Sequence, residues 1–566
     1  MINVDTLIEN RAPQIAKKPW LSKPITLLLR YLTHEKAFLE FEHDYPHLDG
    51  LDFIDQVLEY FDFDYQISDR HLERIPTRGK VVIVANHPLG SLDGLALVKL
   101  VKQLRPDVKI VANEMLMAIK PLHSLLLPVN NMGGRTARQS LQRIHQHIEN
   151  QGALIIFPAG EVSRLSPAGV KDGKWNSGFL RIAKKGNAPI LPIFVDGRNS
   201  LAFYLASAMF KPLSTLLLIK EMFKQTRGNL TIKVGHQIAF DDLPRKNLDK
   251  TASLVRQHLY RIAKGKSGLF STQQSIAHPE DRQTLKSELE THEVLGHTTD
   301  GQKIFLCKDI QGSPILREIS RLREISFRAV GEGTGNKRDM DRFDSHYHHI
   351  VLWDPTELEL VGAYRLADSS ATIAQQGKSG LYTASLFEFG DEFKPFLDQG
   401  LELGRSFVQP KYWGKRSLDY LWQGIGAYLK AYPGPRYLFG PASIPNQIPP
   451  AGRELMVYFY QLYFPAPDNL VQHRHPYYLS EHELLGLFDK FSGEDYEKDF
   501  KKLKSLLASM GASVPTLYKQ YSELVLPGGV WFTEFGTDPN FADCVDGMVV
   551  LDLEQLKPKK KTRYLS

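Results

Sequence analysis

The sequence predicts an α/β protein in two parts, and three observations carry that prediction. The first part alternates short β-branched apolar runs with amphipathic helical segments, as an α/β domain does. A polar stretch without clear periodicity follows at 267–284. The 566 residues are enough for two domains with full cores. We therefore predict domains over 1–268 and 285–566, joined by a linker over 269–284.

The elements of the first part follow from its hydrophobic pattern. Continuous apolar runs predict buried strands, and helices are predicted where apolar residues recur every three to four positions. The predicted strands are 80–85, 108–113, 153–157, 189–195 and 229–236. The predicted helices are 93–104, 136–149, 178–185 and 248–264.

Composition excludes several classes of protein. The hydrophobic content of 42% and the charged content of 24% are typical of a globular chain. Only Cys307 and Cys544 occur, so we expect neither a disulfide framework nor a cysteine-based metal site, and a reducing compartment is indicated. The chain lacks the aromatic-basic motifs of nucleic-acid-binding proteins, so nucleic acid is not an expected partner.

Membrane contact is expected from amphipathic segments rather than from a spanning helix. No uninterrupted apolar run approaches the roughly 20 residues that a spanning helix needs, and the N-terminus lacks a signal peptide's apolar core. Residues 17–32 and 201–225 combine apolar side chains with lysines, so each lies at a bilayer surface or covers the protein's own core. The basic run 557–563 is either a solvated, disordered end or a contact for an anionic surface or an acidic carrier protein.

A histidine and an aspartate follow the first predicted strand. Asn86 and His87 stand where the apolar run ends, and the chain turns through Gly90 before it reaches Asp93. A histidine on a strand-to-helix turn, with a carboxylate just beyond it, can act as a general base whose tautomer the carboxylate fixes. The alternative is a loop histidine beside an aspartate that caps the next helix.

Three further motifs follow this pair in a fixed order. They are Gly133-Gly134-Arg135, Phe157-Pro158-Ala159-Gly160-Glu161 with Arg164, and Pro189-Ile190-Leu191-Pro192. Over roughly 70–265 the series resembles the four motif blocks of the glycerolipid (lysophosphatidate-type) acyltransferases. The resemblance implies that His87 takes the proton from an acceptor hydroxyl and that Asp93 holds and polarises it. It also implies a substrate pocket formed by Asn86, Gly134, Arg135, Gly160, Glu161 and Arg164, with an apolar wall at Pro192.

Two departures from the family pattern refine this expectation. Five residues rather than the family's four separate His87 from Asp93, and we expect Gly90 to absorb the extra one. The third block has Ala159 where the family has a glutamate, and Glu161 stands two places later. A carboxylate there suits an ammonium better than a phosphate, so an amine-bearing lysolipid is favoured over lysophosphatidate.

The second half carries charged residues at regular spacings. They are Arg323-x-x-x-Phe327 on a predicted helix, Asp341-x-x-Asp344, Arg365 on a predicted strand, Glu402-x-x-Arg405-Ser406 on another, and Gly414-Lys415-Arg416-Ser417 before a helix over 418–431. This order resembles the acyl-carrier-dependent GNAT acyltransferases, which include the acyl-homoserine-lactone synthases and the ornithine N-acyltransferases. The alternative is that these charges form ordinary surface ion pairs.

The GNAT resemblance implies roles for these residues. Arg323, Asp341, Asp344, Arg365, Arg405 and Ser406 would form the amino-acid site, with Glu402 as a possible base. The backbone of 414–417 at a helix N-terminus would hold the phosphate of a carrier's phosphopantetheine. His346, His348 and His349 have no ligand partners at metal-binding spacing, so no metal site is predicted.

Taken together, the two halves resemble the bifunctional ornithine lipid synthases. The resemblance implies that the C-terminal domain N-acylates an amino acid, ornithine in that family, with a 3-hydroxyacyl thioester. The N-terminal domain would then O-acylate the hydroxyl of the resulting lysolipid. Acyl carrier protein or coenzyme A would carry the acyl groups, without a metal or redox cofactor, at the cytoplasmic face of a bacterial inner membrane.

Two alternatives stay open from the sequence. One is a single-activity lysophospholipid (1-acylglycerol-3-phosphate type) acyltransferase with a non-catalytic second domain. The other is a membrane-binding or lytic protein without enzymatic activity, in which 201–225 inserts into the bilayer.

Overall fold

A computed structural model describes residues 26–27, 30, 34–129, 138–166, 169–209, 211–224, 228–467 and 470–565. The chain divides into two compact units, Met1–His278 and Pro279–Ser566. The division falls inside the predicted linker 269–284, and a helix over Arg282–Leu289 already belongs to the second unit. Most of the predicted amphipathic segment 17–32 lies outside the described residues.

The first unit is built on a mostly parallel sheet. Its strands are β1 (Asp64–Gln66), β2 (Val81–Ala85), β3 (Lys109–Asn113), β4 (Leu126–Val129), β5 (Ala153–Ile156), β6 (Arg164–Ser166), β7 (Gly169–Lys171), β8 (Ile190–Asp196) and β9 (Asn229–Val234). Seven of them pair in the order β1-β9-β8-β2-β5-β3-β4, and only β8 and β9 run antiparallel. The predicted α/β fold is confirmed for this half, and β2 is central, so the residues that follow it stand at the middle of the sheet edge.

Helices cover both faces of this sheet. They are α1 (Glu35–Asp44), α2 (Gly50–Tyr60), α3 (Asp69–Leu72), α4 (Leu92–Leu104), α5 (Arg138–Glu149), α6 (Gly178–Gly186), α7 (Leu201–Met209), α8 (Lys211–Lys224) and α9 (Leu248–Ala263). Val81 and Ile83 point into a core with α2 and α4, while Val82 and Val84 point into another with α6 and α9. Burial on both faces explains why β2 is continuously apolar rather than alternating.

The second unit is built on an eight-stranded, mostly antiparallel sheet. Its strands are β10 (Glu293–His297), β11 (Lys303–Cys307), β12 (His348–Asp354), β13 (Glu359–Asp368), β15 (Gly400–Val408), β16 (Tyr437–Ile444), β18 (Val530–Asp538) and β19 (Cys544–Asp552), while β14 (Phe387–Phe389) and β17 (Val471–His473) pair separately. The order is β10-β11-β12-β13-β15-β16-β19-β18, and only β15 and β16 run parallel. This α+β arrangement agrees with the predicted class of the second half.

The helices of the second unit pack on both faces of that sheet. They are α10 (Arg282–Leu289), α11 (Pro314–Ala329), α12 (Ser369–Gln376), α13 (Thr383–Leu386), α14 (Lys394–Asp398), α15 (Ser417–Ala431), α16 (Pro450–Tyr463), α17 (Glu481–Phe488), α18 (Tyr496–Ser509), α19 (Thr516–Leu524) and α20 (Pro558–Leu565). Ser313 caps the N-terminus of α11 by accepting a hydrogen bond from the backbone N–H of Leu316. None of the helices in the described part of the chain combines the length and apolarity that crossing a bilayer requires.

The basic run 557–563 is not a disordered end, which corrects that prediction. It forms most of α20, where Arg563 and Tyr564 both bond to Asp419 on α15. Gly426 of α15 permits this docking, because a Cβ there would lie 1.8 Å from the carbonyl oxygen of Tyr564.

Candidate active site

The His87 and Asp93 side chains meet at the carboxyl end of β2. Gly90 takes a left-handed conformation, with φ of +87°, and so absorbs the extra residue of the turn. The Nδ1 atom of His87 lies 3.0 Å from Oδ2 of Asp93. The ring of His87 stacks on that of Phe157, with centroids 4.1 Å apart, which fixes the plane of the imidazole.

Asp93 is a fully buried carboxylate held by the first turn of α4. Its oxygens accept hydrogen bonds from the backbone N–H groups of Leu89 at 2.9 Å, Ser91 at 3.1 Å and Gly94 at 3.0 Å. Burial alone would raise the pKa of Asp93, but His87 and these backbone donors outweigh it and hold the pKa below its ordinary value. An ionised Asp93 accepts the Nδ1–H of His87, which leaves the Nε2 lone pair free to take a proton.

The pKa of His87 is raised above its ordinary value. Burial lowers this pKa, but the charge and hydrogen bond of Asp93, together with the charge of Asp172, raise it by more. Asp172 was not predicted from the sequence. It is buried, and it accepts hydrogen bonds from the Ser163 hydroxyl at 2.5 Å and the Trp175 indole at 2.8 Å.

Asp172 also bonds directly to the residue that carries the imidazole. It accepts the backbone N–H of His87 at 3.3 Å, while the carbonyl of His87 accepts the N–H of Ser163 at 2.8 Å. The backbone of His87 is therefore fixed on both sides. Asp172 lies 85 positions from His87 in the sequence, so no local spacing pointed to it.

An apolar cavity of about 440 Å³ opens beside His87. Its walls come from α1, α2, α4, β3 and the second half of α8, including Phe38, Ile54, Val98, Ile110 and Met222. The described residues that line it include no aspartate, glutamate, lysine or arginine, and the polar ones are His87, Tyr60, Ser91 and Asn113. A pocket of this size and polarity fits an apolar chain.

The other predicted residues of the first half take different positions. Gly160 lines the cavity, whereas Pro192 is not among its lining residues, which corrects the predicted apolar wall. Glu161 and Arg164 form an ion pair at 3.1 Å. Gly134 and Arg135 lie outside the described residues.

Asn86, which is predicted to bind substrate, has a side chain that bonds to the neighbouring strand β8. Its side-chain N–H group donates to the carbonyl of Val195, and its side-chain oxygen accepts the N–H of Val195, each at 2.8 Å. Asn86 therefore ties the end of β2 to β8, next to His87.

In the second unit, the predicted charged residues meet in a buried network. Arg323 on α11 donates two hydrogen bonds to Asp344, at 2.7 and 2.8 Å, and both side chains are 1% exposed. Arg365 on β13 donates to Asp341 at 2.6 Å and to Asp344 at 3.0 Å. Burial would raise the pKa of Asp344, but Arg323 and Arg365 hold it well below its ordinary value. These are not surface ion pairs.

Arg405 extends this network at an irregular point of β15. It lies 3.4 Å from Asp339 and takes a left-handed φ of +48°, where the pairing of β13 and β15 shifts register. Its guanidinium lies over the rings of Tyr382 and Phe541, at 4.8 and 4.6 Å. Ser406, predicted to join the site, instead interacts with Tyr364, which packs in the core on the other face of the sheet.

Glu402 does not support the prediction that it acts as a base. Its carboxylate accepts the Tyr347 hydroxyl and both the hydroxyl and the backbone N–H of Thr383. Burial raises its pKa, and both oxygens are already engaged. Glu402 therefore positions Tyr347 and Thr383 rather than standing open to a substrate.

The parallel strands β15 and β16 separate beside this network. They pair only over Gly400–Glu402 and Tyr437–Phe439, although β15 continues to Val408. A Cβ added at Gly404 would meet no atom within 4 Å, so the face of β15 on that side is open at this point. Gly414, Lys415 and Arg416 precede Ser417, the first residue of α15, so the predicted phosphate loop does stand at a helix N-terminus.

Comparison with known proteins assigns both halves to acyltransferase families. Residues 6–266 match a family model described as acyltransferase, and residues 322–423 match one described as acetyltransferase (GNAT) domain. The predicted class of activity, acyl transfer, is therefore confirmed for both halves.

Three relatives each cover about half of the chain or less. The glycine N(alpha)-acyltransferase of Bacteroides thetaiotaomicron is 31% identical over 52% of this chain and 90% of its own length. The lyso-glycine lipid O-acyltransferase of Phocaeicola vulgatus is 27% identical over 46% of this chain and 95% of its own. The L-ornithine N(alpha)-acyltransferase of Rhizobium meliloti is 31% identical over 25% of this chain and 48% of its own.

Proposed function

Because the chain belongs to the bacterial aminolipid acyltransferases, as a fusion of the bifunctional ornithine lipid synthase type, we propose that it makes a diacylated aminolipid in two steps. The observation that carries the proposal is the presence of both acyltransferase domains in one polypeptide, each similar over most of its length to a separate relative. The His87–Asp93 pair beside an apolar cavity supplies the chemistry for one of the steps.

In the first step the C-terminal domain N-acylates an amino acid, with ornithine as the proposed acceptor. The deprotonated α-amine attacks a 3-hydroxyacyl thioester, a C–N bond forms, and the C–S bond breaks to release the carrier thiol. The gap between β15 and β16 offers a place for the thioester arm, and the α15 N-terminus offers backbone N–H groups for its phosphate.

In the second step His87 acts as the general base of the N-terminal domain. Its Nε2 takes the proton of the lysolipid hydroxyl, the oxygen attacks a second acyl thioester, and the proton then passes to the leaving thiolate. An alcohol with a pKa of about 16 needs such a base at neutral pH. Asp93 stabilises the imidazolium that forms, and the apolar cavity holds an acyl chain.

We further propose that the enzyme works at the surface of the cytoplasmic membrane and takes its acyl groups from acyl carrier protein. Helix α7 exposes Leu201 and Leu205, which are 66% and 58% exposed, and α8 lines the cavity with Leu218 and Met222. Exposed apolar side chains next to an apolar cavity suit the transfer of a lipid from a bilayer.

The pH profile of O-acylation should reflect the raised pKa of His87. The base must be unprotonated, so kcat/KM falls as the pH drops through that pKa, and we expect the acid limb to lie above pH 6.5. Asp172→Asn removes a charge that raises this pKa, so the limb should move to lower pH. The shift of the acid limb is measured from the rate of O-acylation of a supplied lysolipid as a function of pH. Asp196→Asn, at an exposed carboxylate on the same sheet edge, is the control. If Asp172→Asn left the acid limb at the same pH, the limb would not report the pKa of His87.

Filling the cavity should shorten the acyl chains that the N-terminal domain accepts. Val98 lines the cavity from α4, and a phenyl ring in its place takes the room of about three to four methylene groups. At about 0.8 kcal/mol per methylene, Val98→Phe should lower kcat/KM for a 16-carbon donor by about 50- to 200-fold. An 8-carbon donor should react at close to the wild-type rate and thereby shows that the variant is folded. Equal losses of kcat/KM with both donors would show that the acyl chain does not bind in this cavity.

The proposed function is tested by the lipids of a bacterial strain that lacks aminolipids and expresses this chain. Mass spectrometry should find a phosphorus-free lipid with one amide and one ester acyl chain, and its headgroup fragment identifies the amino acid. Altered phospholipid acyl chains without a new aminolipid would favour a lysophospholipid acyltransferase instead.

A further inference from the structure

The buried network of the second unit contains more carboxylates than guanidinium groups. Among the described residues it has six buried carboxylates, those of Glu332, Asp339, Asp344, Glu402, Asp538 and Asp546. The guanidinium groups of Arg323, Arg365 and Arg405 supply the positive charges of the network. His349 adds no positive charge, since burial lowers its pKa to about 3. Buried charges are stable only when they are paired, so a further cation would stabilise the ionised forms of these carboxylates.

Two of these carboxylates, those of Glu332 and Asp546, interact through their charges. Ser443 and Asp546 are direct partners in the pairing of β16 with β19, so their side chains are neighbours on one face. The Ser443 hydroxyl donates to Glu332, and the charge of Glu332 acts on Asp546. The two residues are only 3% and 4% exposed.

Neither of these two carboxylates has a cationic partner of its own. The Oε1 atom of Glu332 is buried and has no hydrogen-bond partner among the described residues. Asp546 is approached at 3.8 Å by the thiol of Cys544, a weak donor. The positive charge of Arg405 acts on both carboxylates, but Arg405 already pairs with Asp339. Burial raises the pKa of Glu332 to about 7, and burial together with the charges of Asp538 and Glu332 raises that of Asp546 well above its ordinary value.

We propose that Glu332 and Asp546 bind the side-chain ammonium of a diamino acid and thereby select such an acceptor over glycine. This inference rests on the proposed function, because it concerns the amino acid that the C-terminal domain acylates. The α-amine must lose its charge before it attacks the thioester. A side-chain ammonium keeps its charge throughout the reaction and so matches a fixed pair of carboxylates better.

The test compares ornithine with norvaline, which has the same carbon chain without the second amine, and with glycine. N-acylation by the full-length protein is measured for wild type, Glu332→Gln and Asp546→Asn. Wild type should prefer ornithine to norvaline by at least about 100-fold, since a site that binds a polar group strongly rejects an analogue without it. Each variant should lower kcat/KM for ornithine by about 10- to 100-fold and leave that for norvaline unchanged.

Controls separate this selectivity from folding. Glu494→Gln, at an exposed carboxylate of the same domain, should leave the ornithine rate unchanged, and O-acylation of a supplied lysolipid should be equal in all variants. Equal losses on ornithine and norvaline, or a wild type that prefers glycine, would overturn the inference and leave the two-step function standing. A wild type that acylates none of the three amino acids would overturn both.

Discussion

His87→Ala should lower the O-acylation rate by about 10²- to 10⁴-fold and leave N-acylation by the same polypeptide unchanged. Among the described residues that line the cavity, His87 is the one basic side chain, and its Nδ1 is held by Asp93. Cells that express the variant should therefore accumulate the monoacylated amide in place of the diacylated lipid. Quantitative mass spectrometry of both lipids measures the block.

A matched histidine substitution controls for this experiment. His47 is exposed, lies on the turn before α2 and does not line the cavity, so His47→Ala should give the wild-type ratio of the two lipids. If His87→Ala still made the diacylated lipid at the wild-type ratio, His87 would not be the base.

Asp344→Ala should have the largest effect on the second unit. It leaves Arg323 and Arg365 buried without the carboxylate that binds both, and the loss of one partner of a buried ion pair costs about 3–5 kcal/mol of the free energy of unfolding. N-acylation should be lost with it. Native-state hydrogen exchange of α11, followed by mass spectrometry across a denaturant series, localises the destabilisation.

Asp398→Ala provides the comparison for an exposed pair. Asp398 bonds to Lys394 one helical turn away on the surface, so its removal should cost no more than about 0.5 kcal/mol. If Asp344→Ala changed protection in α11 as little as Asp398→Ala, the buried network would not hold the domain together.

The sequence was sufficient where local pattern determines structure. The β-branched run of β2 requires burial on both faces, and its central place follows from that. Gly90 has no Cβ, so it adopts the left-handed turn that lets His87 reach Asp93 despite the longer spacing. The charged motifs of the second half also meet as predicted, since Arg323, Asp344 and Arg365 form one network.

The rest depends on contacts between distant parts of the chain. The cavity is assembled from helices near residue 40 and near residue 220, and neither segment contains a catalytic motif. Glu402 has the residue type of a base, but the sequence alone does not reveal that Tyr347 and Thr383 occupy its oxygens. Glu332 and Asp546 interact only because β16 pairs with β19.

One polypeptide is expected to perform both acylations in order. The most direct test incubates the purified full-length protein with isotopically labelled ornithine, a 3-hydroxyacyl thioester and a second acyl thioester, and follows the products by mass spectrometry. A labelled monoacylated amide should appear first and should then be converted to a lipid with one amide and one ester. Diacylated product without the amide intermediate, or no labelled lipid at all, would contradict this expectation.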